Sequence, residues 1–522
     1  MLQIGTSQPR LAKLLLAFAV AVAASSGCVT AQGLTQQNSS TPTRRLLVIY
    51  RPGSVPAGVA AVGRRVGVRL QQQQEQLGTA VVTATAEDEA QLRSDPSVEY
   101  VVQDRAISAT RLLTRPMVMS AQTRTTTPPL HANVPRLVVA ADTADTYYTN
   151  SPQGWAVRAV GGYGGGVADS AASGAWTVST GLGTRIAVLD SGVDAMHPDL
   201  APNLVFNLSE VNQTQQPSAC DDGSPQDQSG HGTWVASLAA AAAGNGTGRV
   251  VGVAPSASLL NIKVLQRLPG QGSTLATQCA AGQASGMLSW VLQGINDAVA
   301  QHADVIVLSV SLTLDLYSGD SAGVKAAFDR ATHAAAQAGA VLVAAVGNDA
   351  FDLSNTRYVE VPAQSRDVLA VVASTNPACM ENLTAGSTCS SGAVTLPYYS
   401  NYGAGLNAVA APGGSYPMGA DDAISGWVRG ACSNGLPKTV DGLPADASHS
   451  YGCFNAGHAS YVQAIGTSAS APLVAGVIAL VRAAHPDWPA ATVLAAVRAS
   501  AKPTAAMRYG VVDAAAALVY QP

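Results

Sequence analysis

Residues 186–194 read Ile-Ala-Val-Leu-Asp-Ser-Gly-Val-Asp, a short apolar run that ends in an aspartate followed by a glycine turn. Two similar runs follow, Val-Ile-Val-Leu at 305–308 and Val-Leu-Val-Ala-Ala at 341–345, and alanine-rich segments of helical length separate such runs. Strands that are buried on both faces are continuously apolar in this way, because helices cover a parallel sheet on each side. The alternation predicts an α/β fold with a mostly parallel sheet flanked by helices.

The composition of the whole chain fits a compact enzyme. Of the 522 residues, 47% are hydrophobic and only 12% are charged, and the formal net charge is −4. This apolar content is sufficient for a buried core, which excludes a disordered, charge-rich chain. Nucleic-acid binders normally have a basic excess or a basic stripe, so no nucleic-acid partner is expected.

The N-terminus has the pattern of an export signal. Arg10 and Lys13 supply a positive charge, residues 14–24 form an apolar run, and 29–31 (Val-Thr-Ala) offer a cleavage site of the small-x-small kind. A signal peptide over 1–31 predicts a secreted, extracellular protein; the alternatives are an N-terminal anchor and lipidation of Cys28. No other stretch is expected to be long and apolar enough to span a membrane, so no stable membrane association is predicted.

Export makes the seven cysteines interpretable. Loss of Cys28 with the signal peptide leaves six cysteines in an oxidising compartment, which predicts three disulfides. Six cysteines allow fifteen connectivities. The pairing with the shortest loops is Cys379–Cys389, Cys432–Cys453 and Cys220–Cys279.

The chain then divides into three parts. Residues 42–109 have a mixed pattern of short strands and one helix, residues 110–150 are a Thr-, Pro- and Arg-rich linker, and the α/β alternation fills 151–522. Within the first part, the expected elements are strands at 45–50, 80–85 and 98–103 and a helix at 87–93.

Three short segments contain the residues that could perform chemistry. Asp190 ends a predicted strand, His231 lies between two glycines, and Ser468 lies just before an apolar helical run. Alone, each has an ordinary structural explanation: a turn, a structural histidine and a helix cap. Together, in the order Asp, His, Ser, they match one of the known chain orders for nucleophilic serine catalysis. A serine hydroxyl needs an imidazole to take its proton, and the imidazole needs a carboxylate to orient it.

The segments Asp-Ser-Gly, His-Gly-Thr and Gly-Thr-Ser-x-x-x-Pro resemble the motifs of the subtilisin-like serine proteases, the subtilase family or peptidase S8. The resemblance implies a subtilisin-like three-layer fold in which Asp190 orients His231, His231 is the general base and acid, and Ser468 is the nucleophile. Residues 344–348 (Ala-Ala-Val-Gly-Asn) are similar to the family segment whose asparagine donates to the oxyanion, which gives that role to Asn348. The resemblance covers roughly 150–515.

Residues 42–109, above all 92–101, are similar to the family's inhibitory propeptide of the inhibitor-I9 kind. The resemblance implies a zymogen whose own propeptide blocks the cleft as an intramolecular inhibitor until the chain cuts itself. We expect the maturation cut within 104–150, and the sequence alone does not place it further.

The resemblance also implies a primary specificity pocket lined by Ser309, Val310, Ser311 and Gly347. Where the family usually has Ser-Leu-Gly, this chain has Ser-Val-Ser at 309–311. A serine in place of the glycine should narrow or polarise the pocket. The family often has histidines where Trp234 and Leu473 stand, but neither position relays protons.

Calcium is the cofactor that the resemblance allows, in a structural role, and the chemistry itself requires none. Asp199 and the loop 243–248, with Asn245, offer the hard oxygen ligands that calcium prefers. The alternative is a glycine-rich turn in which Asp199 is a cap or an ion-pair partner. The separation of 237 residues between His231 and Ser468 is long, and we expect the extra length in loops at 376–396 and 414–460.

Two other functions compete with a protease. One is a catalytically silent homologue that acts as a secreted binding protein. The other is an esterase or lipase of the α/β-hydrolase kind, but its nucleophile needs Gly-x-Ser-x-Gly, and Ser468 lies in Gly-Thr-Ser-Ala-Ser. The sequence therefore predicts a secreted serine endopeptidase, a monomer that acts on proteins and peptides.

Overall fold

A computed structural model describes residues 42–54, 68–109, 113–114, 154–162, 174–243, 250–376, 394–415, 428–436, 453–456, 459–504 and 507–522. The predicted signal peptide, most of the predicted linker and the residues Asn245, Cys379 and Cys389 lie outside this described part. Within it, Thr43–Pro522 form one compact unit.

The predicted elements of the first part are found close to their expected places. Between 44 and 114 the described residues form β1 (Arg44–Tyr50), β2 (Arg69–Gln74), a 3-10 turn (Glu75–Leu77), β3 (Thr79–Ala84), α1 (Ala86–Ser94), β4 (Val98–Gln103), β5 (Ala106–Ala109) and β6 (Leu113–Thr114). Helix α1 begins where it does because Thr85 and Asp88 form a capping box: Thr85 Oγ1 accepts from Asp88 N at 3.2 Å, and Asp88 Oδ2 accepts from Thr85 N at 3.1 Å.

The remaining elements alternate between strands and helices. The strands are β7 (Arg185–Asp190), β8 (Leu204–Ser209), β9 (Ser258–Lys263), β10 (Gln266–Leu268), β11 (Gln283–Met287), β12 (Val305–Leu308), β13 (Val310–Asp315), β14 (Val341–Ala345), β15 (Tyr358–Val361), β16 (Val368–Ser374), β17 (Ala408–Pro412), β18 (Val428–Ala431), β19 (Phe454–Ala456), β20 (Ala459–Ile465), β21 (Lys502–Thr504) and β22 (Met507–Val511). The helices are α2 (Trp155–Ala159), α3 (His231–Ala240), α4 (Leu275–Ala280), α5 (Leu288–Ala300), α6 (Ser321–Gln337), α7 (Thr467–Ala484), α8 (Ala490–Ser500) and α9 (Ala514–Leu518), with a 3-10 turn at Ala175–Thr177.

The predicted parallel sheet is confirmed. Nine strands are ordered β21-β22-β17-β16-β14-β12-β7-β9-β8, and every neighbouring pair from β22 to β8 is parallel. Only β21, at one edge, runs antiparallel to its neighbour. Strand β7 lies inside the sheet, between β12 and β9, so its carboxyl end opens onto the edge where parallel sheets place their sites.

Helices cover both faces of this sheet. Successive residues of a strand point to opposite faces, so a continuously apolar strand gives both faces apolar side chains that helices can bury. On one side Ile186 and Val188 pack in the same cluster as Trp234 of α3 and Leu473 of α7. On the other side Ala187 and Leu189 share a cluster with residues of α5 and α6. The sheet and its helices form the expected three layers.

One expectation about the apolar segments is wrong. Helix α7 is long and apolar enough to cross a membrane by length and composition alone. Yet 83% of its apolar window is buried inside the protein, where it packs on β12, β14, β16 and β17. The apolar character of α7 is that of a core helix lying on the sheet.

Two of the three predicted disulfides are confirmed, namely Cys220–Cys279 and Cys432–Cys453. Their Cα atoms are 5.2 Å and 6.1 Å apart, within the range that a disulfide can bridge. The third predicted pair, Cys379–Cys389, falls outside the described residues.

Candidate active site

Asp190, His231 and Ser468 meet at the carboxyl end of the parallel sheet. Asp190 Oδ1 lies 2.7 Å from His231 Nδ1, and His231 Nε2 lies 3.0 Å from Ser468 Oγ. All three residues are at most 2% exposed. With Nδ1–H directed at the carboxylate, Nε2 can accept the hydroxyl proton of Ser468, which is the arrangement that activates a serine nucleophile.

The local folding explains why these side chains meet. Asp190 is the last residue of β7, His231 is the first residue of α3, and Ser468 lies in the first turn of α7. The start of α3 packs directly against the turn after β7, since a Cβ built on Gly232 would lie 2.2 Å from Gly192 O. The glycine after the histidine is therefore needed for this close approach.

Asp227 connects two parts of the site, and the sequence gives no hint of this role. It is fully buried, and its carboxylate accepts five hydrogen bonds of 2.6–2.9 Å, from Ser191 Oγ, Ser229 N, Gly230 N, Thr233 N and Thr233 Oγ1. Ser191 Oγ in turn accepts from Gly232 N at 2.9 Å. Asp227 thus fixes the turn next to Asp190 and the start of the helix that bears His231. An aspartate four residues before a histidine is too common a pattern to have identified it.

Asn348 is held beside the nucleophile with its amide oriented. Its Oδ1 accepts from Thr467 N and from Thr467 Oγ1, both at 2.9 Å. Because Oδ1 is held by Thr467, the orientation of the amide group is fixed. A Cβ built on Gly466 would lie 2.9 Å from Asn348 Nδ2, so the amide nitrogen lies close to the Gly466 backbone. Thr467, to which Asn348 is bound, is the residue directly before Ser468. An amide donor held this close to the nucleophile suits the stabilisation of an oxyanion.

Asn401 supports the loop that presents Asn348. Its Oδ1 accepts from Asp349 N at 3.0 Å and Phe351 N at 2.9 Å, and its Nδ2 donates to Val346 O at 2.8 Å. A Cβ on Gly347 would lie 2.5 Å from Asn401 Nδ2, and Gly347 has a φ of 100°. Both features require glycine at this position.

The segment 309–311 lies next to the nucleophile. Ser309 is buried, and its Oγ donates to Ser468 O at 3.3 Å. Strand β5 occupies the groove in front of this segment: Ala109 pairs with Val310, and Ser108 pairs with both Ser311 and Ser285. These pairs place β5 between β11 and β13 in an antiparallel sheet of five strands, as an extended peptide would bind.

Strand β6, which follows β5 in the chain, pairs with the strand that leads into the nucleophile. Leu113 and Thr114 pair with Ile465 and Ala464, the two residues just before Gly466. The backbone before 110 and the backbone after 112 therefore flank Ser468.

The other sequence-predicted positions have structural contacts. Trp234 is buried and donates from Nε1 to Val428 O at 3.2 Å, without a place in the proton relay. Asp199 is 1% exposed, and its Oδ2 accepts from the Tyr461 hydroxyl at 2.8 Å. No group of three or more metal-ligating side chains occurs among the described residues. With one carboxylate oxygen already engaged by a tyrosine and Asn245 outside the described part, calcium binding at Asp199 stays a prediction.

The sequence of this chain is similar to those of known serine proteases. Residues 181–515 match the profile of the Subtilase family, peptidase S8. Thermitase of Thermoactinomyces vulgaris is 36% identical over 174 residues, which are 33% of this chain and 50% of that protein. Subtilisin E of Bacillus subtilis is 31% identical over 309 residues, which are 59% of this chain and 58% of that protein. The matched stretch thus spans about half the length of such curated relatives.

Solved structures share the fold at lower sequence identity. The epidermin leader peptide processing serine protease of Staphylococcus aureus is 18% identical with a TM-score of 0.60, covering 91% of this chain and 98% of that one. Fervidolysin of Fervidobacterium pennivorans, a keratinolytic enzyme related to subtilisin, is 20% identical with a TM-score of 0.58, covering 93% of this chain and 62% of that one. These likenesses support the α/β architecture.

Proposed function

Because this chain belongs to the subtilase family of subtilisin-like serine peptidases, we propose that it is a secreted serine endopeptidase that hydrolyses peptide bonds in proteins. The observation that carries the proposal is the continuous hydrogen-bonded row from Asp190 through His231 to Ser468. A silent homologue has no need to keep this row together with an oriented asparagine amide.

The proposed reaction uses groups that are already in place. Ser468 Oγ attacks the carbonyl carbon while His231 Nε2 takes its proton, and Asp190 stabilises the imidazolium that forms. The carbonyl oxygen becomes an oxyanion, which the amide of Asn348 meets at the start of α7. His231 returns the proton to the leaving amine as the C–N bond breaks, and water then hydrolyses the acyl-enzyme by the same relay.

Residues 42–109 are, in this proposal, the inhibitory propeptide. Strand β5 fills the groove between β11 and β13, so a protein substrate cannot pair there until β5 leaves. The rest of this part docks on α5 and α6: Asp104 accepts from Ser289 N at 2.9 Å, and Asp320 accepts from Gln103 N at 2.6 Å. The groove would open once the chain is cut and this part dissociates.

The strand pairs also shorten the interval in which the maturation cut is proposed to lie. Ala109 lies at Val310 on one side of Ser468, and Leu113 lies at Ile465 on the other side. The bond that the chain cuts in itself is therefore proposed to lie between Ala109 and Leu113, a much shorter interval than 104–150.

Secretion fits the covalent structure of the protein. Disulfides persist in oxidising compartments and are rare in the cytosol. Both described pairs, Cys220–Cys279 and Cys432–Cys453, lie in the catalytic part of the chain. Asn434, two residues after Cys432, donates from its backbone N to Asp194 Oδ2 at 2.9 Å.

The experiment that tests this function is the variant Ser468→Ala in the full-length chain. Loss of the nucleophile is expected to lower casein hydrolysis on the order of 10⁶-fold and to leave the precursor uncut. Ser470→Ala is the matched control, since Ser470 is an equally buried serine of α7 outside the row. N-terminal sequencing of the mature wild type should read a first residue from 110 to 113. Normal hydrolysis or normal maturation by Ser468→Ala would show that the assignment is wrong.

A further inference from the structure

A buried carboxylate lies behind the strand that borders the substrate groove. Glu360 of β15 is 1% exposed and stands opposite Thr313 of β13. Thr313 Oγ1 donates to Glu360 Oε2 at 2.6 Å, whereas Glu360 Oε1 has no hydrogen-bond partner among the described residues. The charged group that acts on it is Asp349, which is another carboxylate. Glu360 is thus a buried acid that lacks a compensating cation within the described structure.

This carboxylate is linked to side chains of β13, the strand that pairs with β5. Ser311 and Thr313 are two residues apart on β13, so their side chains lie on one face of the strand, and both hydroxyls interact with the Glu360 carboxyl. Ser311 Oγ also lies 3.7 Å from the position of a Cβ on Gly347. Glu360, Ser311 and Gly347 therefore form a continuous line that ends beside Asn348.

The same line runs next to the residue whose bond is cut. Ala109 of β5 opposes Val310, so an extended peptide in this register brings its next residue toward Ser468 to Ser309. In this chain the next residue is Thr110. Maturation in this register is a single cut within the same molecule, and the preference proposed below concerns other substrates. In such a substrate, the side chain of the residue brought to Ser309 enters between the segment 309–311 and Gly347, where the specificity pocket is predicted. Glu360 is connected to that segment through the Ser311 hydroxyl.

We propose that Glu360 is the specificity-determining acid of this pocket and that the enzyme prefers lysine or arginine as the residue that supplies the carbonyl of the cut bond. This inference rests on the proposed function. A buried carboxylate that has hydroxyl partners but no opposite charge beside it is costly to ionise, and an ammonium or guanidinium group that reaches it makes a strong charge-assisted hydrogen bond. An apolar side chain in the same place would leave the carboxylate unpaired, and sites built around buried polar groups reject such substrates strongly.

The proposal also predicts the direction in which the preference changes with pH. Burial, with the Asp349 carboxylate adding to it, raises the pKa of Glu360 to about 8. From β13, the facing groups Ser311 and Thr313 are neutral hydroxyls. The carboxyl gains its charge as the pH rises through about 8, whereas a lysine side chain stays positive over the same range. The preference for lysine over phenylalanine should therefore increase with pH.

The test uses matured enzyme and tetrapeptide p-nitroanilides that end in Lys, Arg, Gln or Phe and are otherwise identical. We expect kcat/KM for Lys and Arg to exceed that for Phe about tenfold or more at about pH 9. The ratio of Lys to Phe should fall toward about pH 6, and titration of His231 cancels in this ratio because both substrates use it.

Variants locate the effect. Glu360→Gln should lower kcat/KM for Lys and Arg by about 10- to 100-fold and leave Phe within about threefold. Asp352→Asn is the matched control, an exposed carboxylate on the loop after Asn348, and it should change neither value.

The outcomes separate this inference from the function on which it rests. Cleavage with equal or higher kcat/KM for Phe at high pH, or a ratio that does not change with pH, would overturn the role of Glu360 and leave the protease function intact. The wild-type profile decides this even where Glu360→Gln does not fold. Failure to cleave any of these peptides, together with inactivity on casein, would contradict the proposed function and this inference with it.

Discussion

The nine-stranded parallel sheet and the four-stranded sheet that docks on α5 and α6 obtain their cores in different ways. The nine-stranded parallel sheet is covered on one face by α3 and α7 and on the other by α5 and α6, all from the same part of the chain. The four-stranded sheet β2-β3-β1-β4 has its own cover on one face only, where Leu46, Val48 and Tyr50 cluster with Leu92 of α1. On its other face, Leu47 and Ile49 belong to the cluster of α5 and α6.

The difference supports the proposal that the chain combines a catalytic part with a removable propeptide. The parallel sheet has a complete core, while the small sheet depends for half of its burial on a surface that belongs to the catalytic part. Small domains bury too little surface to be stable without such help. The small sheet should therefore lose much of its order once it leaves α5 and α6, and in the proposed maturation this loss would make its release hard to reverse.

Gly323→Ala should break this docking most strongly. On α6, a Cβ at Gly323 would lie 2.5 Å from Val102 Cγ1 and 3.0 Å from Tyr100 Cβ, so the small sheet must move away. In the uncut Ser468→Ala precursor, we expect trypsin to digest residues 44–109 about tenfold faster or more, as followed by mass spectrometry. The catalytic part should keep its Tm, because alanine favours an exposed helix by about 1 kcal/mol over glycine.

Ala322→Ser, on an exposed position of the same helix, is the control for Gly323→Ala and should leave digestion unchanged. An equal digestion rate for Gly323→Ala and its parent would mean that the small sheet does not rest on α6.

Asp104→Asn should weaken the same docking less. The Asp104 carboxylate is buried, accepts from Ser289 N at 2.9 Å and Ser289 Oγ at 2.7 Å at the start of α5, and pairs with Arg45 at 2.5 Å. Removing its charge costs about 1–1.4 kcal/mol, through the lost ion pair and the helix dipole. The same trypsin assay should show an acceleration of about five- to tenfold, smaller than that of Gly323→Ala.

Glu87→Gln is the control for the charge change, because Glu87 is an exposed carboxylate of α1 in the same part of the chain. Should Asp104→Asn behave like this control, the contact with α5 would contribute nothing to the docking.

The strands could be predicted wherever the local sequence pattern agrees with the structure that the residues adopt. The runs at 305–308 and 341–345 are observed as strands at the same residues, because short, continuously apolar runs rich in valine and isoleucine favour buried strands. Strand β11, with the sequence Gln-Ala-Ser-Gly-Met, has no such pattern. It is a strand because β10 and β5 pair with it, and no local signal predicts that partnership.

The residues of the site also fall into two groups, those that a local motif predicts and those that only the fold brings to the site. Asp190, His231, Ser468 and Asn348 lie in short motifs that identify themselves, and the structure brings all of them together. Glu360 and Asp227 act through partners far away in the sequence. The register between β13 and β15 places Glu360 opposite Thr313, and such registers depend on packing that the sequence pattern leaves undetermined.

The nucleophile itself can be identified directly by labelling with a fluorophosphonate, followed by peptide mapping by mass spectrometry. After removal of residues 42–109, the wild type should incorporate one label per chain, on Ser468. His231→Ala, which keeps the serine, removes its base and is to be cut by added wild-type enzyme because it cannot cut itself, should be labelled slower by about 10³-fold or more. A label on another residue, or equal rates in the two proteins, would contradict a serine activated by His231.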